Sequence, residues 1–217
     1  MTDNLELNAC DPYPLHLKGF NPNAELPYGL QIEHVRSAMQ AFSDFLGFIN
    51  RELHSRNIQR IETILMPANF SSIVGEFIGV TIPRYCSTLV KNTYHNGHPD
   101  LIPAAMFDNN AVQYTHKGVE IKASRYLRGW QGHNPENIWL MVFVFDSNRP
   151  EDIAKPVSPK PFRFVQVVGA RLTKRDWVFS GKSETSRRTI TASVTESGYK
   201  KMTKNWIYKD SDLLEIE

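Results

Sequence analysis

Cysteine is nearly absent: Cys10 and Cys86 are the only two, and neither belongs to a CxxC pair, which excludes a disulfide framework and a thiolate metal cluster. They read as plain buried or half-buried thiols. No stretch approaches eighteen apolar residues, so no membrane-spanning helix is expected. The opening Met-Thr-Asp-Asn-Leu-Glu lacks the basic and apolar regions of a signal peptide, and a cytoplasmic address is the expectation. There is no internal repeat and no low-complexity segment. No histidine follows position 133, so His133-Asn134 cannot belong to an HNH nuclease motif, which needs a second downstream histidine.

What is present is the composition of one globular domain: 217 residues, 41% hydrophobic and 22% charged. The net charge of +2 hides a strong asymmetry. Residues 1–154 hold 12 basic against 16 acidic side chains, residues 155–209 hold 13 against 3, and the last eight hold four acids and no base. A block of positive charge is the footprint expected for a polyanion, although a solvated basic surface has the same composition.

Along the chain, residues 1–32 are rich in Pro and Asn without a sustained period and read as an irregular arm. From Glu33 to Arg56, Val35, Ala38, Met39, Phe42, Phe45, Leu46, Ile49 and Leu53 recur at helical spacing. This predicts a long amphipathic helix that covers a sheet or meets a second subunit. Ser71 or Ser72 is expected to cap a further helix through Ile78, and Pro83 to open another that ends near Lys91. Ile138–Phe145 is apolar on both faces and predicts a central strand.

The richest stretch runs from His98 to Ser124. Two short apolar runs, separated by Asp108-Asn109-Asn110, predict a β-hairpin. On the second run Glu120 and Lys122 share one face, with Val119, Ile121 and Ala123 behind them. Asp100, at the start of the first run, can be brought beside them. Two converging carboxylates suit a hard divalent cation, and a neighbouring lysine can act on what that cation activates. His95 and His98 have the HxxH spacing of zinc ligands but sit in a polar turn, and no zinc site is expected.

Pro99-Asp100, nineteen intervening residues and then Glu120-Ile121-Lys122 resembles the signature of the PD-(D/E)XK nuclease superfamily, the fold of most type II restriction endonucleases. The resemblance covers roughly residues 70–145. It implies an α/β (α+β) restriction-endonuclease-like core, a central mixed β-sheet flanked by helices, in a single nuclease domain and a prokaryotic cell. It implies Mg²⁺, with Mn²⁺ as a substitute, held by Asp100, Glu120 and the main-chain carbonyl of Ile121. Lys122 then orients the attacking water or stabilises charge, and Glu76, on the helix preceding the metal strand, joins the site or merely occupies the helix surface. The products implied are 5′-phosphate and 3′-hydroxyl ends on double-stranded DNA, cut by a homodimer.

Downstream, Arg125, Arg128 and Gln131 interleave cations and an amide with Tyr126 and Trp130, as a substrate-facing loop uses them. The basic third (155–217) begins with a proline-rich link, then a strand from Phe162 to Leu172 and a turn at Lys174-Arg175. Lys182, Ser183, Arg187 and Arg188 form a donor-rich segment suited to reading base edges. A short helix from Ser197 to Trp206 carries Lys200 and Lys201, suited to phosphates. The competing readings are a low-specificity nuclease of the same fold, acting in repair or phage defence, a DNA-binding module whose acids are structural, and an RNA-directed enzyme.

Overall fold

The computed structural model describes residues 2–132, 134–155, 157–179 and 191–214. In chain order these form helices α1 (Thr2–Ala9), α2 (Ile32–Ser55), α3 (Ile61–Ile64) and α4 (Pro67–Tyr85), then strands β1 (Leu89–Lys91), β2 (Leu101–Pro103), β3 (Val119–Ser124), β4 (Gln131–Gly132), β5 (Ile138–Asp146), β6 (Arg163–Leu172), β7 (Trp177–Phe179) and β8 (Ala192–Val194). Helix α5 (Glu196–Lys204), strand β9 (Trp206–Lys209) and helix α6 (Ser211–Leu214) complete the order. A six-stranded mixed sheet runs β1-β2-β3-β5-β6-β9, and a small sheet runs β4-β8-β7. All neighbours in the large sheet are antiparallel except β3 and β5, which are parallel from Val119↔Trp139 to Ser124↔Val144. The protein is thus mixed α/β, with helices against a central mixed sheet.

Strand β5 carries the core because it has no polar face. Trp139, Met141, Phe143 and Phe145 point into one cluster with Val119 and Ile121 of β3 and the inner faces of α2 and α4. Leu140, Val142 and Val144 point into a second, beside Trp130, Trp177, Ala192 and Met202. A strand buried on both sides reads as a continuous apolar run, as this one does. Burying one phenylalanine side chain is worth about 1.5–3 kcal/mol. Phe42, Phe70, Phe143, Phe145 and Phe162 are all fully buried, and Phe70 meets Phe145 and Phe162 edge to face while Phe145 and Phe162 stack.

Three expectations are corrected. The N-terminal segment is not wholly irregular: it opens with α1, and Tyr13 N donates to Phe162 O while Phe20 packs on Tyr208 at 4.7 Å. These tertiary contacts, invisible to local periodicity, hold it. Residues 67–85 form one helix, with Pro67 in its first turn and Pro83 in its last. The hydroxyls of Ser71 and Ser72 donate back to Pro67 O and Ala68 O instead of capping. β2 and β3 do pair antiparallel, but only at Leu101↔Val119, and a long loop joins them in place of a tight turn. Gly118, at φ +148°, makes that crossing possible, since a Cβ there would overlap the Leu101 carbonyl and the Pro99 ring. Of the two uses expected for α2, covering the sheet is the one observed: Val35, Ala38, Met39, Phe42 and Leu46 pack inside the chain against β5 and β6.

A buried polar network ties the front of the chain to the sheet. Arg60, 2% exposed at its side chain, donates to Glu62 (2.7 Å), Glu6 (3.0 Å), Asn148 (2.9 Å) and Lys160 O (3.1 Å). Asn50 donates to the other oxygen of Glu62 at 2.9 Å. Removing one partner leaves the other charge buried and alone, which costs about 3–5 kcal/mol. Arg60→Ala is therefore expected to lower the stability measured by urea unfolding by that much, and a loss below about 1 kcal/mol, the size of an exposed pair, would contradict the network's role.

Candidate active site

Asp100, Glu120, Lys122 and Glu76 converge where α4 crosses β3 beside the end of β2. The backbone N–H of Ile121 donates to Asp100 Oδ2 at 2.9 Å, and Asn92 N donates to Asp100 O at 2.9 Å, which extends the β1–β2 ladder and fixes the acid. Buried Asn92 also bonds Pro99 O, Val112 O and Val112 N, so it braces the loops on both sides. Strand alternation sends Val119 and Ile121 into the core and leaves Glu120 and Lys122 together on the other face, with Lys122 Nζ 2.5 Å from Glu120 Oε1. A cavity of about 170 Å³ is lined by Ser71, Gly75, Glu76, Asp100 and Lys122. A larger one of about 680 Å³ adds Lys91, Tyr94, His98 and Glu120. Lys122 also lines a third, of about 480 Å³, with Tyr126 and Gln131.

The electrostatics follow from crowding like charges under partial cover. Burial and the adjacent Glu120 charge push the Asp100 carboxyl up to about 6, against the pull of Lys91, Ile121 N–H and Lys122. Burial would raise Glu120 as well, but the His98 hydrogen bond and the Lys122 ammonium overcome it and hold Glu120 below the ordinary carboxylate range. Burial favours a neutral Lys122, yet Glu120 beside it raises the amine above its ordinary value. Glu76 is paired with Lys91, at 3.1 Å, and Lys91 also reaches Asp100 at 3.5 Å.

Three participants were not anticipated from sequence. Lys91 bridges Glu76 and Asp100. His98 stands between Glu120 Oε2, 3.1 Å from Nδ1, and Glu136 Oε2, 2.5 Å from Nε2. The second contact is a close ion pair poorly angled for a hydrogen bond. Burial would lower the imidazole, but the two carboxylates carry it up to about 9. The one available signal was that His98 lies two residues before Asp100 in the sequence. Nothing in the sequence marked Glu136.

No group of three His, Cys, Asp or Glu side chains able to hold a metal is gathered among the described residues. Two neighbouring carboxylates do fit Mg²⁺, which binds through one or two carboxylates and takes its remaining oxygens from water and substrate phosphate. The repulsion that raises Asp100 is what a divalent cation would relieve.

The residues expected to face DNA divide. Arg125 is committed to the interior: its guanidinium lies over Phe145 (4.9 Å) and Phe70 (5.5 Å) and donates to Ser147 O and Asn148 O. Lys201 is drawn onto buried Asp176 at 2.7 Å. Arg128 lies over the Tyr199 ring with its side chain exposed, and Gln131, Lys174, Arg175 and Lys200 are exposed. Lys182, Ser183, Arg187 and Arg188 lie outside the described residues. No helix among the described residues is long and apolar enough to cross a membrane. No family model, curated protein or solved structure matches the chain.

Proposed function

We propose that the chain is a Mg²⁺-dependent, site-specific double-stranded DNA endonuclease of the PD-(D/E)XK kind, with a restriction-endonuclease-like core. The observation that carries this reading is the adjacency of Asp100 and Glu120 with Lys122 against them, in a cleft also lined by Glu76. The sheet supports it: an antiparallel β1-β2-β3 unit follows α4 and continues into parallel β5, so Asp100, just before β2, stands beside Glu120 on β3.

Asp100 and Glu120 would hold Mg²⁺, or Mn²⁺ in its place, with the Ile121 carbonyl as a further donor. The cation supplies charge neutralisation and hydroxide at neutral pH, the two things an anionic and inert phosphodiester needs. Lys122, kept protonated by Glu120, orients the water and stabilises negative charge building on the phosphate; it is a poor general base because its neighbours hold the proton on it. Glu76 shapes the same cleft through Lys91. Exposed Arg128, Gln131, Lys174, Arg175 and Lys200 contact the DNA backbone or bases. A homodimer matches a palindromic site, and a prokaryotic cytoplasm is where such an enzyme works.

Incubating the purified chain with unmethylated phage DNA and Mg²⁺, then sequencing the ends, tests the proposal. Discrete fragments with 5′-phosphate and 3′-hydroxyl ends, abolished by EDTA, are expected. A smear would point to a low-specificity nuclease, and EDTA-resistant binding without cleavage would overturn the enzyme.

A further inference from the structure

We infer that His98 and Glu136 form a positioning bridge that fixes the Glu120 carboxylate, ties it to the small sheet, and so sets how tightly the acidic pair grips a divalent cation. The inference rests on the reading of Asp100 and Glu120 as cation ligands.

Glu120 is only 10% exposed at its side chain and is held from both ends, by Lys122 on Oε1 and by His98 Nδ1 on Oε2. An imidazole anchored at one nitrogen can still swing about its side-chain torsions. Here the far nitrogen is against Glu136 Oε2, and the ring lies nearly parallel to Tyr114, with centroids 5.6 Å apart and planes at 15°. The ring is therefore contacted at both nitrogens and on one face. The Glu136 backbone is fixed in turn: its main-chain carbonyl accepts from Trp177 Nε1 at 2.9 Å, and Trp177 belongs to β7 and is buried. Gly132, in the same small sheet, leaves room for the Trp177 ring, against which a Cβ would press at 3.1 Å. The line of contacts thus runs from the small sheet through Glu136 and His98 to Glu120. Carboxylates that ligate a cation are themselves held by outer hydrogen-bonding partners in many metal sites, and the loss of such a partner costs about 10–100-fold in metal affinity or activity. His98 and Glu136 are positioning residues, not catalytic ones.

Glu136→Gln keeps the size of the side chain and the backbone contact to Trp177 while removing the charge that holds His98. The test is Mn²⁺ binding to the full chain without DNA, followed by electron paramagnetic resonance, with melting temperature as a check on folding. Folded Glu136→Gln and His98→Ala should each weaken Mn²⁺ binding by about 10–100-fold, and the double variant should be no weaker than the worse single, because the pair acts as one unit. In cleavage, the Mg²⁺ concentration for half-maximal rate should rise while the rate at saturating Mg²⁺ recovers, which a merely structural defect would not allow. Unchanged Mn²⁺ affinity in folded Glu136→Gln overturns the bridge and leaves the nuclease reading standing. Mn²⁺ binding that weakens as expected in a chain that cuts no DNA supports the bridge and counts against the nuclease. A wild-type chain that binds no Mn²⁺ overturns both.

Discussion

Lys122→Ala should lower the rate of DNA cleavage by on the order of 10²–10³-fold while leaving DNA affinity nearly unchanged, the range seen when one preorganised donor is removed from an oxyanion site. Lys122 is well placed for so large an effect. Its ammonium touches Glu120, lines all three cavities described above, and keeps its proton because Glu120 raises its affinity for one. A charge fixed beside the reacting phosphate needs no reorganisation when the transition state forms. DNA binding, by contrast, draws on many cations spread over the surface, and the loss of one is a small fraction. Single-turnover cleavage with saturating enzyme, beside a binding titration in Ca²⁺, separates the two effects. An unchanged single-turnover rate would remove Lys122 from the chemistry.

Asp100→Asn should do two opposite things: abolish cation-dependent cleavage and make the protein more stable at pH 7. The carboxyl is raised from its ordinary 3.8 to about 6, first by burial and then by Glu120. A raised carboxyl binds its proton more tightly when folded than when unfolded, so stability falls as pH rises from about 4 to about 6, and the full penalty is present at pH 7. Each tenfold gain in proton affinity on folding is worth about 1.4 kcal/mol, so the asparagine, after allowance for a partly exposed side chain, should gain on the order of 2 kcal/mol. Asparagine can still accept from Ile121 N–H, so the local geometry is kept. Urea unfolding at pH 7 and again at pH 4 checks the sign: the advantage of the variant should shrink at the lower pH. A less stable Asp100→Asn at pH 7 would mean the acid is held by the fold and not strained for function.

The parts of this site that were legible in the sequence are those that depend on local geometry. A two-residue period puts Glu120 and Lys122 on one face whatever the rest of the chain does, and the apolar run at 138–145 could only be a strand covered on both sides. Long-range partners left no such mark. Glu136 is sixteen residues from Glu120 and meets it through His98 only because β5 runs parallel to β3, which returns the chain to the same end of the sheet. Arg125 looked like a DNA contact because its flexible stem and charge suit one, yet Phe70 and Phe145 form a surface its guanidinium covers. Pro83 suggested a helix start, but in the last turn of α4 its missing N–H costs a single hydrogen bond and the helix runs through to Tyr85. β9 was hidden by its length: four residues, Trp206–Lys209, begin two residues after α5 ends at Lys204, and the helix expected to reach Trp206 stops short of it.

The most direct test of a cation gripped between neighbouring strands is Mn²⁺ titration of the wild-type chain beside Asp100→Asn and Glu120→Gln. Binding should be clear in the wild type, and each substitution should weaken it by about 100-fold or more, since each removes one of only two protein carboxylates that hold the ion. Equal Mn²⁺ affinity in the wild type and in both folded variants would contradict the account.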